Sequence, residues 1–337
     1  MLESPKSKNS QSTKLKRTLT LPYVVLYGLG VTVGAGIYVL VGEVITRSGQ
    51  HAPVSFLIAG LVMLLPAACF AELTGRMPFA AAEAHFVGTG FNSSKLFLLV
   101  GLAVAIVGLI SSAAIAHGAV GYLSQLLDWP LTVLLMAVIV VTGIVSGIEV
   151  RNSIAIAGMH FKIQVGGLLS IIIGSIWAGN DLGAQAVQAV PTSMSPMLWN
   201  GIAASSLLAF FAFIGFEDID SIAEETVNPQ KTLSRGIFIT LFLSVAIYVA
   251  VILASLAAVS VSDIEGHRAP LTIVFSKTTA FSPLIITLIA IVATVNGIIV
   301  QLIMSSRVLY GLANRGSLPK VLARINSTTR TPLVATW

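Results

Sequence analysis

Charge is what this sequence has least of. Only 10% of its 337 residues are Asp, Glu, Lys or Arg, where a soluble domain carries about 25%. The charges also cluster, leaving uncharged runs near the roughly 20 apolar residues that a helix needs to cross a hydrocarbon core. That pattern excludes a water-soluble globular domain. Cysteine is nearly missing too. Cys69 is the only one, so no disulfide can form within the chain, and inside an apolar run it reads as packing. Signatures of catalysis are lacking as well. There is no H-E-x-x-H, no Walker loop, no nucleophile elbow and no metal-ligand cluster, which argues against an enzyme and implies no cofactor and no metal.

What is present is apolar: 55% of the residues are hydrophobic and the mean hydropathy is +0.92. The chain reads as an all-α polytopic membrane protein. Eight spans are expected, at about 20–45, 53–75, 96–126, 131–149, 154–178, 200–226, 236–260 and 283–311. The first is not a cleaved signal peptide, because its apolar part exceeds a signal's core, no small-residue cleavage site follows, and seven more spans come after it.

Lys and Arg set the orientation. One side holds Lys6, Lys8, Lys14, Lys16, Arg17, Arg76, Lys95, Arg151, Lys231, Arg235, Arg307, Arg315, Lys320, Arg324 and Arg330; the other has only Arg47, Arg268 and Lys277. Fifteen against three places both termini in the cytoplasm. The net charge of +5 is then an orientation signal, helped by anionic lipid, and calls for no nucleic acid. The glycosylation-like triplets at Asn92 and Asn326 fall on the cytoplasmic side and should be silent.

The first span contains GLGVTVGAGIYVLVG, with glycine at 28, 30, 34, 36 and 42 and no charge from Arg17 to Glu43. Glycine costs a helix interior up to about 1 kcal/mol relative to alanine, so the crowding needs a reason. Three readings compete. A dinucleotide fingerprint needs G-x-G-x-x-G on a strand–helix unit, and neither the spacing nor the unit is here. Close helix packing in lipid favours small residues and suits Gly28 or Gly42. A deliberate break at Gly34-Ala35-Gly36 would free backbone groups for a ligand, which membrane depth tolerates only where the backbone is buried or lines a cavity.

Span six supports the third reading. It is apolar to Phe216, then carries Glu217, Asp218 and Asp220, with Gly215 just before the acidic step. Either the helix leaves the membrane at Glu217 or a second break lies at Phe213–Glu217. Interrupted segments in corresponding positions of two halves point to a transporter site. A five-span repeat beginning at span one restarts at span six, and the odd number of spans makes the two repeats inverted.

These stretches resemble amino acid permeases of the amino acid–polyamine–organocation superfamily, near the cationic amino acid transporter-like branch. The matching segments are GLGVTVGAGIYVLVG, FAELTGRMP, FFAFIGFEDIDSIAEETVNPQKTLSRGI and SSRVLYGLANRGSLPKVLARINSTTRTPLVAT. The resemblance implies a five-plus-five inverted-repeat (LeuT-like) fold with broken helices 1 and 6, and secondary, proton-driven transport of an amino acid or related amine. The expected divisions are a cytoplasmic tail at 1–19, a first repeat at 20–178, three helices of the second at 200–311, and a cytoplasmic segment at 312–337. The plasma membrane is the expected location.

Residue by residue, the resemblance puts the substrate carboxylate at the N–H groups of Gly34, Ala35 and Gly36. It puts the ammonium at carbonyls near Thr32 and Val33 and along Phe213, Ile214, Gly215 and Phe216. Phe213 and Phe216 serve as gates or as packing. Glu217 offers a charge to a basic substrate or lines the cytoplasmic exit.

Lys162 lies roughly 12 Å into span five at 1.5 Å per residue. A charged lysine at a helix centre costs about 2.5–3.5 kcal/mol on insertion scales. Snorkelling to the cytoplasmic face is one reading. The resemblance implies another, in which Lys162 takes the place of sodium in sodium-coupled relatives. It would bridge span one to span eight, with Ser305 and Ser306 as partners, and losing its proton would loosen the bridge. Two departures accompany the resemblance. Span three carries no acid, and its His117 reads as a satisfied buried imidazole in preference to a proton carrier. The chain also stops at Trp337, where the family enters a ninth span, so a truncated, non-transporting assembly partner is the alternative function.

Overall fold

The computed structural model describes residues 18–76, 82–148, 154–326 and 331–336. Among them the ordered structure is helical, apart from one isolated bridge between Leu19 and Thr226. The tail cations, Arg151, Arg330 and Trp337 lie outside the described residues.

The first span is two helices, α1 (Leu21–Thr32) and α2 (Ala35–Ser48). Then come α3 (Ala52–Arg76), α4 (Ala82–Gly90), α5 (Ser94–Leu123), α6 (Leu131–Ile148), α7 (Ile154–Trp177) and α8 (Leu182–Ala189). Span six is α9 (Pro196–Phe211) followed by a 3-10 stretch, Phe216–Glu225. The rest is α10 (Pro229–Ala258), α11 (Val261–Ile264), α12 (Pro270–Thr278), α13 (Leu284–Asn314) and α14 (Leu333–Thr336). Each expected span coincides with helical structure; most ends agree within a few residues, but α10 begins at Pro229, seven residues before the expected 236, and the α-helix of span six stops at Phe211. The short α4, α8, α11 and α12 are additions, because four to nine residues of mixed polarity give no span-length signal.

By length and apolarity alone, five described stretches qualify as membrane spans, and α7 with α8 makes a sixth through a 104° bend. α1 and α6 are shorter apolar helices. For α1 the reason is physical: it is half of an interrupted span.

Local chemistry sets the helix ends. Proline stands in the first turn of α1, α9, α10 and α12, where its missing N–H costs nothing. Ser93 and Ser195 cap α5 and α9, accepting from the N–H groups of Leu96 and Leu198. The outer faces stay apolar, with Leu61, Leu65, Leu207 and Phe242 exposed, as a lipid-facing surface requires. Inside, α13 packs along α5 and α10 along α3, with α1 against α10. Tyr38, Phe56, Phe213 and Tyr248 are fully buried at the centre.

Candidate functional site

Span one is interrupted by a single tight turn. Val33 has φ −83° and ψ 69°, an inverse γ-turn, and it lets the Gly34 N–H donate to the Thr32 carbonyl at 2.9 Å. Gly34 is therefore not a free donor, which corrects that part of the expected carboxylate site. No side chain caps α2. The unpartnered first-turn N–H groups are those of Ala35, Gly36 and Ile37, at the positive end of the helix dipole.

In span six the α-helix ends at Phe211, six residues before the first acid, Glu217. α9 frays through Phe213 and Ile214, whose N–H groups donate to Phe210 and Phe211 carbonyls. Gly215 then takes φ +116°, a region that only glycine enters readily. The Gly215 N–H donates to Glu217 Oε2 at 2.9 Å. Glu217 thus caps the resumed helix with its carboxylate, a structural use that sequence reasoning did not foresee.

The two breaks meet. A β-carbon on Gly36 would stand 2.7 Å from the Ala212 Cα, and one on Gly215 would stand 3.1 Å from the Val31 carbonyl oxygen. Gly28 and Gly42 pack against Ile219 and Pro270, as the packing reading expects. Tyr248 of α10 ties the half-helix ends together. Its hydroxyl lies 2.7 Å from the Thr32 carbonyl oxygen and 2.8 Å from that of Ala212, so one donor serves the C-termini of both α1 and α9. The Tyr248 ring packs edge-on against Phe56 and tilted against Phe213. Phe216 packs edge-on to Phe70. Both candidate gate residues are thus seated against other rings.

A third wall comes from α7. Gln164 is fully buried, and neither its Oε1 nor its Nε2 has a partner. Oε1 lies 3.6 Å from where a Gly34 β-carbon would be. Tyr38 of α2 holds this register by donating to the Gln164 carbonyl at 2.6 Å, and Tyr122 donates in turn to the Tyr38 carbonyl. Thr32, beside the turn, also has a buried hydroxyl with no partner.

Lys162 does not make the expected bridge. Its side chain is exposed. Ser305 donates to the Ala105 and Gln301 carbonyls and Ser306 to that of Ile303. Helical phase is the reason: two residues turn a helix by about 200°, so a chain that points Gln164 inward points Lys162 outward. His117 is likewise exposed, not buried, and so is Cys69 on α3. A cavity of about 480 Å³ opens elsewhere, between the end of α5 and the approach to α12, lined by Gln125, Asp128, Trp129, His267 and Arg268. No residue of either break lines it, and burial at the breaks decides the choice of site.

Comparison with known proteins gives the family and the fold. A family model described as amino acid permease matches residues 19–337. The chain is 32% identical to cationic amino acid transporter 2, vacuolar, of Arabidopsis thaliana, over 98% of this chain and 55% of that protein. It is 25% identical to the branched-chain amino acid permease BcaP of Bacillus subtilis, over 97% of this chain and 74% of that one. It therefore spans little more than half the length of the plant relative. A crystal structure of a manganese transporter from Eremococcus coleocola superposes with a TM-score of 0.61 at 11% identity, covering 94% of this chain and 68% of the other. That likeness is one of fold alone, at an identity too low to carry more.

Proposed function

The chain belongs to the amino acid permease family, and on that premise we propose that it serves to carry an amino acid or related amine across a membrane by alternating access around the breaks in spans one and six. The observation that carries the reading is the contact of the two breaks, Gly36 on Ala212 and Gly215 beside Val31. Interrupted backbone at membrane depth has a use only where it is buried or lines a passage.

In this reading the substrate carboxylate sits at the first turn of α2, near Ala35, Gly36 and Ile37, where N–H groups and the helix dipole attract an anion. The ammonium faces the carbonyls of Val33, Phe213 and Ile214. Phe213 and Phe216 move with the gate. A proton drives the cycle, and Lys162 is the residue to test for it, because it is a cation within the length of a span. The protein works in the plasma membrane with its N-terminus in the cytoplasm. The experiment is uptake of labelled amino acids by the protein in proteoliposomes, with unlabelled amino acids and amines as competitors. Saturable, competed uptake supports the reading. Vesicles that bind but never accumulate label favour the non-transporting alternative.

A further inference from the structure

We infer that the side-chain amide of Gln164 binds the carboxylate end of the transported molecule, as a third wall of the site supplied by span five. The inference rests on the transport reading above and adds to it a specificity-determining residue.

Three observations converge on Gln164. First, both polar atoms of the amide are buried and without a partner. A buried polar group that makes no hydrogen bond is costly, so such a group in a folded protein points to a missing partner. Second, the amide faces the turn that opens the helix: Oε1 is 3.6 Å from the β-carbon position of Gly34, and that position meets no clash. A glycine here leaves room beside the amide, whereas Gly36 is filled by Ala212. Third, the placement is fixed. The Tyr38 hydroxyl holds the Gln164 carbonyl at 2.6 Å, and a β-carbon on Gly167, one turn further along α7, would come within 2.8 Å of that same hydroxyl.

The chemistry follows from the surroundings. The uncapped first turn of α2 begins at Ala35, next to Gly34. Its N–H groups favour an anion. An amide nitrogen adds two more donors, and rotating the amide by half a turn brings nitrogen to the position held by Oε1, since no bond fixes either atom. The Thr32 hydroxyl, also buried and unpartnered, adds a donor on the side of α1. A carboxylate, with about four acceptor positions on two oxygens, can accept from several of these together. A site built to hydrogen-bond a group rejects analogues that lack it, because its own polar atoms are then left unpaired.

The test uses the purified full chain and two pairs of probes: L-leucine with isoamylamine, and L-arginine with agmatine. Each pair differs by one carboxylate. Binding is measured for the wild type, Gln164→Met and Gly34→Ala, together with thermal unfolding without ligand. The expected result is that the wild type prefers the amino acid of at least one pair. Gln164→Met should lower that affinity by about tenfold or more, the effect of a hydrogen bond to a charged group, and leave amine binding unchanged. Gly34→Ala should act the same way by filling the space. Without ligand, Gln164→Met should unfold no earlier than the wild type, because an unpartnered amide has been removed. Unchanged amino acid binding in Gln164→Met overturns the inference and leaves the transport reading standing. Equal losses for amino acid and amine, or a destabilised ligand-free variant, also overturn it, since the amide would then be structural. A wild type that binds none of the four probes overturns the transport reading and this inference together.

Discussion

Gly36 and Ala212 touch backbone to backbone: a β-carbon on Gly36 would stand 2.7 Å from the Ala212 Cα. Nothing at that contact is the flexible tip of a side chain, so any larger residue must push span one off span six. Gly36→Leu is expected to abolish binding of amino acid substrates while membrane insertion persists. Ligand binding by the purified variant, alongside its yield in the membrane fraction, checks this. Normal binding would make the glycine a packing device with no part in the site.

Tyr248→Phe isolates a single hydroxyl. The ring contacts with Phe56 and Phe213 survive, and only the donor shared by Thr32 and Ala212 is lost. The Ala212 carbonyl is left buried with one bond fewer, at a cost of about 1–3 kcal/mol. The variant should unfold at a lower temperature than the wild type. An unchanged unfolding temperature would mean that water or the half-helices themselves replace the bond.

Lys162 separates coupling from snorkelling. With a proton-driven cycle through this residue, wild-type uptake rises as outside pH falls against a more alkaline interior. Lys162→Ala and Lys162→Gln then stop transport or flatten its pH dependence. Uptake against pH for the three proteins decides the matter. Parallel curves would remove Lys162 from the mechanism, in keeping with its exposed side chain.

A pH effect is expected at the membrane's edge. His85 of α4 accepts a hydrogen bond at Nδ1 from Arg315, 3.2 Å away, and Arg315 also lies over the Phe97 ring. Burial, and then the Arg315 charge, hold the His85 imidazole below its usual value of 6.5. The unfolded chain therefore takes up this proton more readily than the folded one, and stability rises with pH across that window. The contact should be fully present above pH 6.5 and lost as pH falls through the lowered value. Thermal unfolding of wild type and His85→Gln between pH 5 and 8 (about the range where imidazole titrates) should give a flatter curve for the variant.

Topology is checked with reporters. Fusions at Ser10 and after α13 should both report the cytoplasm, because fifteen of the eighteen cations assigned to one side or the other fall on that side. An external signal at either end would overturn the eight-span arrangement.

The sequence by itself determined the membrane class, the approximate spans and the two interruptions. Those properties are written in one dimension: runs of apolar residues, the clustering of charge, and glycines at 34, 36 and 215 where a continuous helix has no use for them. Which side chains line the breaks was decided only in three dimensions. Lipid is as apolar as the protein core, so spans apolar all round carry no periodic mark of their inner face. Lys162 and Gln164 show the consequence. They are two residues apart on one helix, the charged one drew attention in the sequence, and the uncharged one faces the site. Tyr248 gave no sequence signal either, because its role depends on α1 and α9 ending within reach of one hydroxyl, from positions far apart in the chain.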